Sequence, residues 1–172
     1  MNLHINNWII IVLKLLTIEQ VIKFKISQKQ DLLKKIPEIN VRIKPVSKAD
    51  YVFLYQLLAE RESNTNINHR RMPTFAEHAN FVSSKPYSKW YTIMVDDTKV
   101  GTTYLTNKDE VGIFIKKEFH GMKIGHKALK LLIQKNSRKA YYANINPRNK
   151  KSIRFFKNNG FQLIQHTYEL SK

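Results

Sequence analysis

Cysteine is absent from all 172 residues, which excludes a disulfide framework, a thiolate nucleophile and any zinc site built on Cys. Acidic residues are scarce, 13 against 30 Lys and Arg, and the formal net charge is +17. Such a surface carries a positive field that favours polyanions: nucleic acid, anionic membrane or phosphate-rich small molecules. The joint abundance of Lys, Ile and Asn is also what a biased base composition produces with no binding role. No apolar run spans a bilayer, because Trp8 to Leu13 is stopped by Lys14, well short of about 20 residues. That run has no basic leader and no small-residue cleavage site, so no signal peptide is expected and a cytoplasmic location is. Neither an aromatic-basic RNA motif nor a helix-turn-helix pattern is visible, which makes nucleic acid an unexpected partner. His120 and His126 share no face of the segment that carries them, and no metal site is expected.

What is present supports one packed domain. Apolar residues make up 42% and aromatics 11%, spread along a length that suits a single α/β core. Residues 1–37 read as a basic helical extension, with apolar positions at Ile9, Val12, Leu13, Leu16, Val21 and Leu33 before Pro37. Packing on the domain, dimerisation and a membrane surface all suit such a segment. The domain is expected over 38–172.

Within it, Val41, Ile43 and Val46 nearly alternate with polar residues, as a half-buried strand does. Ser47 and Asp50 open a helix carrying Val52, Leu54, Leu57 and Leu58, and Thr74 with Glu77 forms a capping-box signature for a second helix. Trp90–Val95 and Val100–Thr106 flank a turn as an antiparallel pair, and Glu110–Ile115 adds a strand. Met122–Gln134 is expected to be helical, Ala140–Ile145 a buried strand, Pro147–Asn159 helical and Phe161–Leu170 a last strand. The sum is an α/β fold of the α+β kind: a mixed, mostly antiparallel sheet with helices on its faces.

Two segments carry chemistry. In the first, Val111 to Ile115 runs through a short loop into a helix start at Gly121-Met122-Lys123-Ile124-Gly125. Amides at a helix start lack intrahelical partners and sit at the positive end of the macrodipole, so they hold a phosphate well. Lys123, His126 and Lys127 add cationic or hydrogen-bonding side chains. Two glycines near a helix start also suit an ordinary helix packed tightly on a sheet. In the second, Asn146 is read as an N-cap, Pro147 as the first helical residue and Gly160 as the stop. Asn149, Ser152 and Phe156 then line one side of that helix, while Ile153, Phe155 and Phe156 equally suit a core.

Together the segments resemble the acetyl-CoA signature of the GNAT superfamily of N-acetyltransferases: a strand leading into Q/R-x-x-G-x-G/A, then an N-x-x-S-x-x-x-Y-x-x-x-G-F helix. Asn149, Ser152, Gly160 and Phe161 match the second pattern in register. The resemblance covers about Ile39 to Leu170. It implies a β-α-α-β-β-β-α-β-α-β order and acetyl-CoA as cosubstrate. It also implies that the backbone of Phe114, Ile115 and Lys116 pairs with the pantetheine arm, and that amides from Gly121 through Met122, Lys123, Ile124 and Gly125 to His126 hold the pyrophosphate. Asn149, with Ser152 and Phe156 on the same side, would lie near the thioester end. This chain departs from the pattern in having His120 for Gln or Arg, Lys123 for the first glycine and Phe156 for the tyrosine that protonates the departing thiolate.

The implied reaction is acetylation of a primary amine, which calls for a base and an acid. Glu110 is the first candidate base, on the strand that would hold the thioester, followed by Glu77 and His78. Tyr141 or Tyr142 is the candidate acid, with water as the alternative. Arg61, His69, Arg70, Arg71 and Glu77 are the candidate acceptor-binding residues, suited to phosphates or sugar hydroxyls. The stretch Met72 to Phe81 is similar to the corresponding region of GNATs that acetylate nucleotide-linked amino sugars. A protein N-terminal or lysine acetyltransferase and a non-catalytic CoA- or nucleic-acid-binding module are the competing readings.

Overall fold

The computed structural model describes residues 17–28, 39–61, 71–168 and 170. The chain divides into two units, Met1–Glu38 and Ile39–Lys172. In the first, helix α1 covers 17–28 and carries a Lys23–Glu19 ion pair of 2.7 Å, an i,i+4 contact worth about 0.3–0.5 kcal/mol. Val21 lies on α1; Ile9, Val12, Leu13, Leu16 and Leu33 lie outside the described residues.

The second unit is built on four antiparallel strands in sequential order: β1 (Val41–Pro45), β2 (Lys89–Val95), β3 (Thr98–Leu105) and β4 (Val111–Ile115). Register fixes which side chains share a face. Ile43 opposes Ile93, Ile93 opposes Gly101, and Gly101 opposes Ile115. With the period of two, Val41, Tyr91, Val95, Ile113 and Val111 join that row. Val100 is the extra residue of a β-bulge facing Ile93 and Met94, and it is fully buried.

Helix α4 (Ile124–Lys135) covers this aliphatic face with Ile124, Ala128, Leu129 and Leu132. Their spacing of three and four puts them on one stripe, and Leu132 has no exposed surface. The helix end is closed by side chains. Asn136 Nδ2 donates to Leu132 O (2.8 Å), and the Tyr141 hydroxyl donates to Asn136 O (2.7 Å).

The opposite face is covered by α2 (Tyr51–Ala59) and α3 (Phe75–Ser83). The capping box expected at Thr74 and Glu77 is present: Glu77 N donates to Thr74 Oγ1 (3.2 Å) and Thr74 N to Glu77 Oε2 (2.6 Å). A 3-10 turn at Lys48–Asp50 precedes α2. Asp50 accepts from Ser47 N (2.8 Å) and pairs with Lys99 Nζ (2.6 Å), which ties the start of α2 to β3.

After α4 the chain departs from expectation. Instead of a strand over Ala140–Ile145 there is one parallel bridge, Glu110 with Tyr142, in which Val111 N donates to Tyr142 O (2.7 Å) and Tyr142 N to Asp109 O (3.0 Å). Asn144 turns its amide to the Glu110 carboxylate (2.8 Å), and Asn146 starts an Asx turn through Arg148 N (2.9 Å), so the chain leaves the sheet. Helix α5 (Lys150–Asn158) begins three residues later than expected. Asn149, not Asn146, is its N-cap, accepting from Ser152 N (3.0 Å). Beyond it, 161–168 forms no strand, and Leu163 and Ile164 are exposed.

Candidate active site

The outer edge of β4 is the first component. Thr106 N donates to Glu110 O, and Lys116 N donates to Val100 O. Even-numbered residues of β4 therefore turn their peptide groups toward β3, and odd-numbered ones turn away. Val111 uses its outward N–H on Tyr142, and Ile115 O accepts from His120 Nε2 (2.9 Å). Both peptide groups of Ile113 and the N–H of Ile115 are left facing outward. This corrects the reading of Phe114 and Lys116 as the backbone partners of a ligand: only Ile115 of that trio faces out. Ile113, which sequence reasoning missed, faces out beside it, and its only signal is the parity set by register.

That edge runs into the start of α4 through a 3-10 turn at Lys117–Phe119. Gly121 has φ +82, and Lys123, the N-cap, sits in the left-handed region at φ +58. Glycine takes this conformation freely and lysine does not, so Lys123 carries strain of about 1–2 kcal/mol. No side chain caps the helix. Lys127 N bonds Lys123 O, which leaves the amides of Ile124, Gly125 and His126 without intrahelical partners. Nothing lies within 4 Å of where a Cβ would stand on Gly121, and Met122 is also exposed there. Gly125 has a different use, since a Cβ would come within 3.1 Å of Phe155: it lets α5 approach α4. His126 joins the same contact by bonding Asn159 Oδ1 through Nδ1. As Oδ1 only accepts, the His126 proton is on Nδ1.

On α5, Asn149 uses Oδ1 as the cap, and Ser152 is half-buried behind it. Phe156 is buried in the core against Phe155 and Phe161, which removes it from the ligand side.

The second component lies on the α2/α3 face of the sheet. Glu110, Gly112 and Phe114 share that face of β4. Glu110 Oε1 accepts from Asn144 (2.8 Å) and Oε2 from Thr106 Oγ1 (3.0 Å), so its carboxylate is fixed beside Tyr142, whose ring is exposed. Tyr141, the other candidate acid, is engaged at the end of α4. Tyr104 opposes Gly112 in register. Its ring lies so close that a Cβ on Gly112 would stand 1.9 Å from it. Tyr87 stacks on Tyr104 with centroids 3.9 Å apart and planes 5° from parallel. Phe81 and Trp90 pack edge-on around Tyr87. A glycine inside a strand signals close approach of another group, and that sign was available in the sequence.

The Arg61 guanidinium lies 5.3 Å from the centre of the Phe114 ring, a cation–π contact. His78, on α3, is buried, and burial followed by the Arg61 charge holds its pKa below the ordinary imidazole value. Burial pushes the Tyr87 hydroxyl pKa up, with Tyr104 adding to the effect. Arg61 Nε, His78 Nε2 and Thr92 Oγ1 are buried without hydrogen-bond partners, and all three belong to this side of the sheet. Each such atom costs about 1–3 kcal/mol.

Glu77 is engaged structurally: hydrogen bonds from the Thr74 backbone and hydroxyl hold its pKa below the ordinary carboxylate value, with Arg71 assisting. That direction is wrong for a base working near neutrality. His69 and Arg70 lie outside the described residues. Among the described residues no group of His, Cys, Asp and Glu is arranged to hold a metal, and no helix is long and apolar enough to cross a membrane.

The acetyltransferase (GNAT) domain model matches residues 40–162. No curated protein sequence matches the chain. Three solved structures illustrate the likeness in fold. A domain from Methanocaldococcus jannaschii superposes with TM-score 0.67 and 19% identity, over 76% of this chain and 94% of that one. An acetyltransferase from Thermus thermophilus gives 0.60 and 17%, over 74% and 90%. RimL, a ribosomal L7/L12 alpha-N-protein acetyltransferase in complex with coenzyme A, gives 0.60 and 16%, over 76% and 85%.

Proposed function

Since the chain belongs to the GNAT acetyltransferase family, for which acetyl-CoA is the acetyl donor, we propose that residues 38–172 acetylate the primary amine of a small molecule, of the nucleotide-linked amino-sugar class. Residues 1–37 are an appendage to that catalytic domain. The observation that carries this reading is the outward edge of β4, at Ile113 and Ile115, leading through one 3-10 turn to an uncapped helix start.

The residues present fit acetyl-CoA. An extended amide-bearing arm suits the outward peptide groups of Ile113 and Ile115, as an added strand would. A pyrophosphate suits the amides of Ile124, Gly125 and His126, with the open space over Gly121 admitting it. Lys123 stands at the same place as a cation. The thioester supplies an activated acetyl group.

In this reading Glu110 takes the amine proton as the new C–N bond forms, supported by Asn144 and Thr106 holding its carboxylate in one orientation. In the same reading Tyr142, bridged to Glu110 through the backbone, gives a proton to the sulfur as the C–S bond breaks. Water serves equally, because a thiol of pKa about 8.5 leaves readily as thiolate.

The test uses purified full-length protein and labelled acetyl-CoA. Acetyl-CoA at a hundredfold excess over Kd should stabilise the fold by about 2.7 kcal/mol, and label should pass to a nucleotide-linked amino sugar. An unchanged melting temperature with acetyl-CoA would sink the donor reading; transfer to peptide N-termini alone would replace the acceptor class.

A further inference from the structure

Arg61 is a half-buried cation with no counter-ion among the described residues. None of the ion pairs of the described residues includes it, and its neighbour Glu60 turns instead to Lys117 N (3.4 Å). The guanidinium carbon lies over the Phe114 ring, and a guanidinium carries a fork of N–H donors that matches carboxylates and phosphates. Its Nε has no partner. The second observation is independent of Arg61: His78 is 94% buried, and its Nε2 also has no partner. Among the described residues, the groups around His78 are Tyr55 of α2, Phe81 of its own helix, and Arg61. None of them is acidic. Buried polar atoms are nearly always paired, so two unpaired ones at a guanidinium with no counter-ion among the described residues point to a place that a ligand completes.

We propose that Arg61 anchors an anionic group, carboxylate or phosphate, of the acetyl acceptor, with His78 completing its hydrogen bonds. The proposal rests on the acetyl-transfer reading and narrows it. Glu110 and Phe114 lie on the same face of β4, four residues and thus about 13 Å apart. An acceptor with its amine at Glu110 and its anion at Arg61 is therefore longer than an α-amino acid, whose two groups adjoin one carbon. With about 3 Å taken up by the hydrogen bond at each end, a phosphate-bearing amino sugar suits that span. The wall between the two points is Tyr104, held flat by Tyr87 over Gly112, a surface suited to a sugar or planar ring.

Binding of an anion cancels the Arg61 charge felt by His78, so the His78 imidazole reports occupancy. The experiment titrates full-length protein with inorganic phosphate and, separately, acetate, while following the His78 ring signals by NMR from pH 5 to 8. Saturable shifts and a rise in the His78 pKa are expected in wild type with at least one of the two anions, and the stronger identifies the chemistry. R61Q should lose the response. R61K, which keeps the charge but not the fork, should bind at least several-fold more weakly and serves alone if R61Q does not fold. No saturable response in wild type, or equal responses in wild type and R61K, overturns the proposal. In kinetics, the preference for an amino-sugar phosphate over its neutral methyl glycoside should fall about tenfold or more in R61Q. Wild-type stabilisation by acetyl-CoA reports separately on the donor reading, so the two failures are told apart.

Discussion

The two faces of the sheet are made from the same four strands and serve opposite ends. Toward α4, register stacks Ile43, Ile93, Val111 and the Leu129–Leu132 stripe into an aliphatic core in which no buried side-chain polar atom lacks a partner. Toward α2 and α3, the same strands present Trp90, Thr92, Tyr104, Gly112 and Phe114, and every unpaired buried polar atom of the described residues belongs to that side. Native proteins hold unsatisfied groups where a ligand will satisfy them, and they do so against a stable remainder. The aliphatic face supplies that remainder.

Four measurements break or sharpen the contrast. The largest effect is expected at the polar face: Glu110→Gln should lower turnover by about 10²–10⁴-fold, the range of a lost general base, with the unfolding midpoint nearly unchanged. Full turnover with an unshifted pH profile would reassign the base. Leu132→Ala on the aliphatic face should do the reverse, costing about 2–5 kcal/mol in denaturant unfolding while the folded fraction turns over as wild type does. Gly112→Ala touches both properties: the Tyr104 ring must move, at about 1–3 kcal/mol, and acceptor KM should rise more than acetyl-CoA KM. Smallest is the pH effect of His78. Its folded pKa is lowered, so the unfolded chain binds the proton more tightly. The associated stability is complete above about pH 6.5 and is lost as pH falls from there through the lower folded value. Urea midpoints at several pH values should fall less steeply on the acid side in His78→Gln; an identical slope would show that His78 is not what the acid senses.

How much of this was legible depends on the range of the contacts involved. The four strands β1 to β4 and the starts of α2 and α3 follow from local pattern: alternation, a turn between β2 and β3, and the Ser47/Asp50 and Thr74/Glu77 pairs; the turn read over 96–99 is two residues shorter, Asp96–Asp97, and β3 starts at Thr98. The signal for a helix start at α4, with Gly121 ahead of it, is likewise local. What failed was set by neighbours distant in sequence. Leu163 and Ile164 have strand-forming character but no strand beside them. Asn146 and Asn149 are equally good caps by residue type, and the Asx turn at Asn146 gives the helix to Asn149. Phe156 reads as lining or as core until Phe161 folds back on it. The exchange of Phe114 and Lys116 for Ile113 came from register, where a one-residue shift reverses every peptide group.

Tyr104 and Gly112 bear on how such a chain can vary. The ring occupies the volume that any side chain at 112 would need, so the two positions behave as one unit of inheritance. A larger residue at 112 becomes admissible only after Tyr104 has been reduced. That change would first release Tyr87 from its stack and reshape the wall between Glu110 and Arg61. Drift at this pair is thus blocked in one order and open in the other, and on the proposed acetyl-transfer reading the open order passes through an altered acceptor site. Descendants of this sequence that differ at 112 should also differ in what they acetylate.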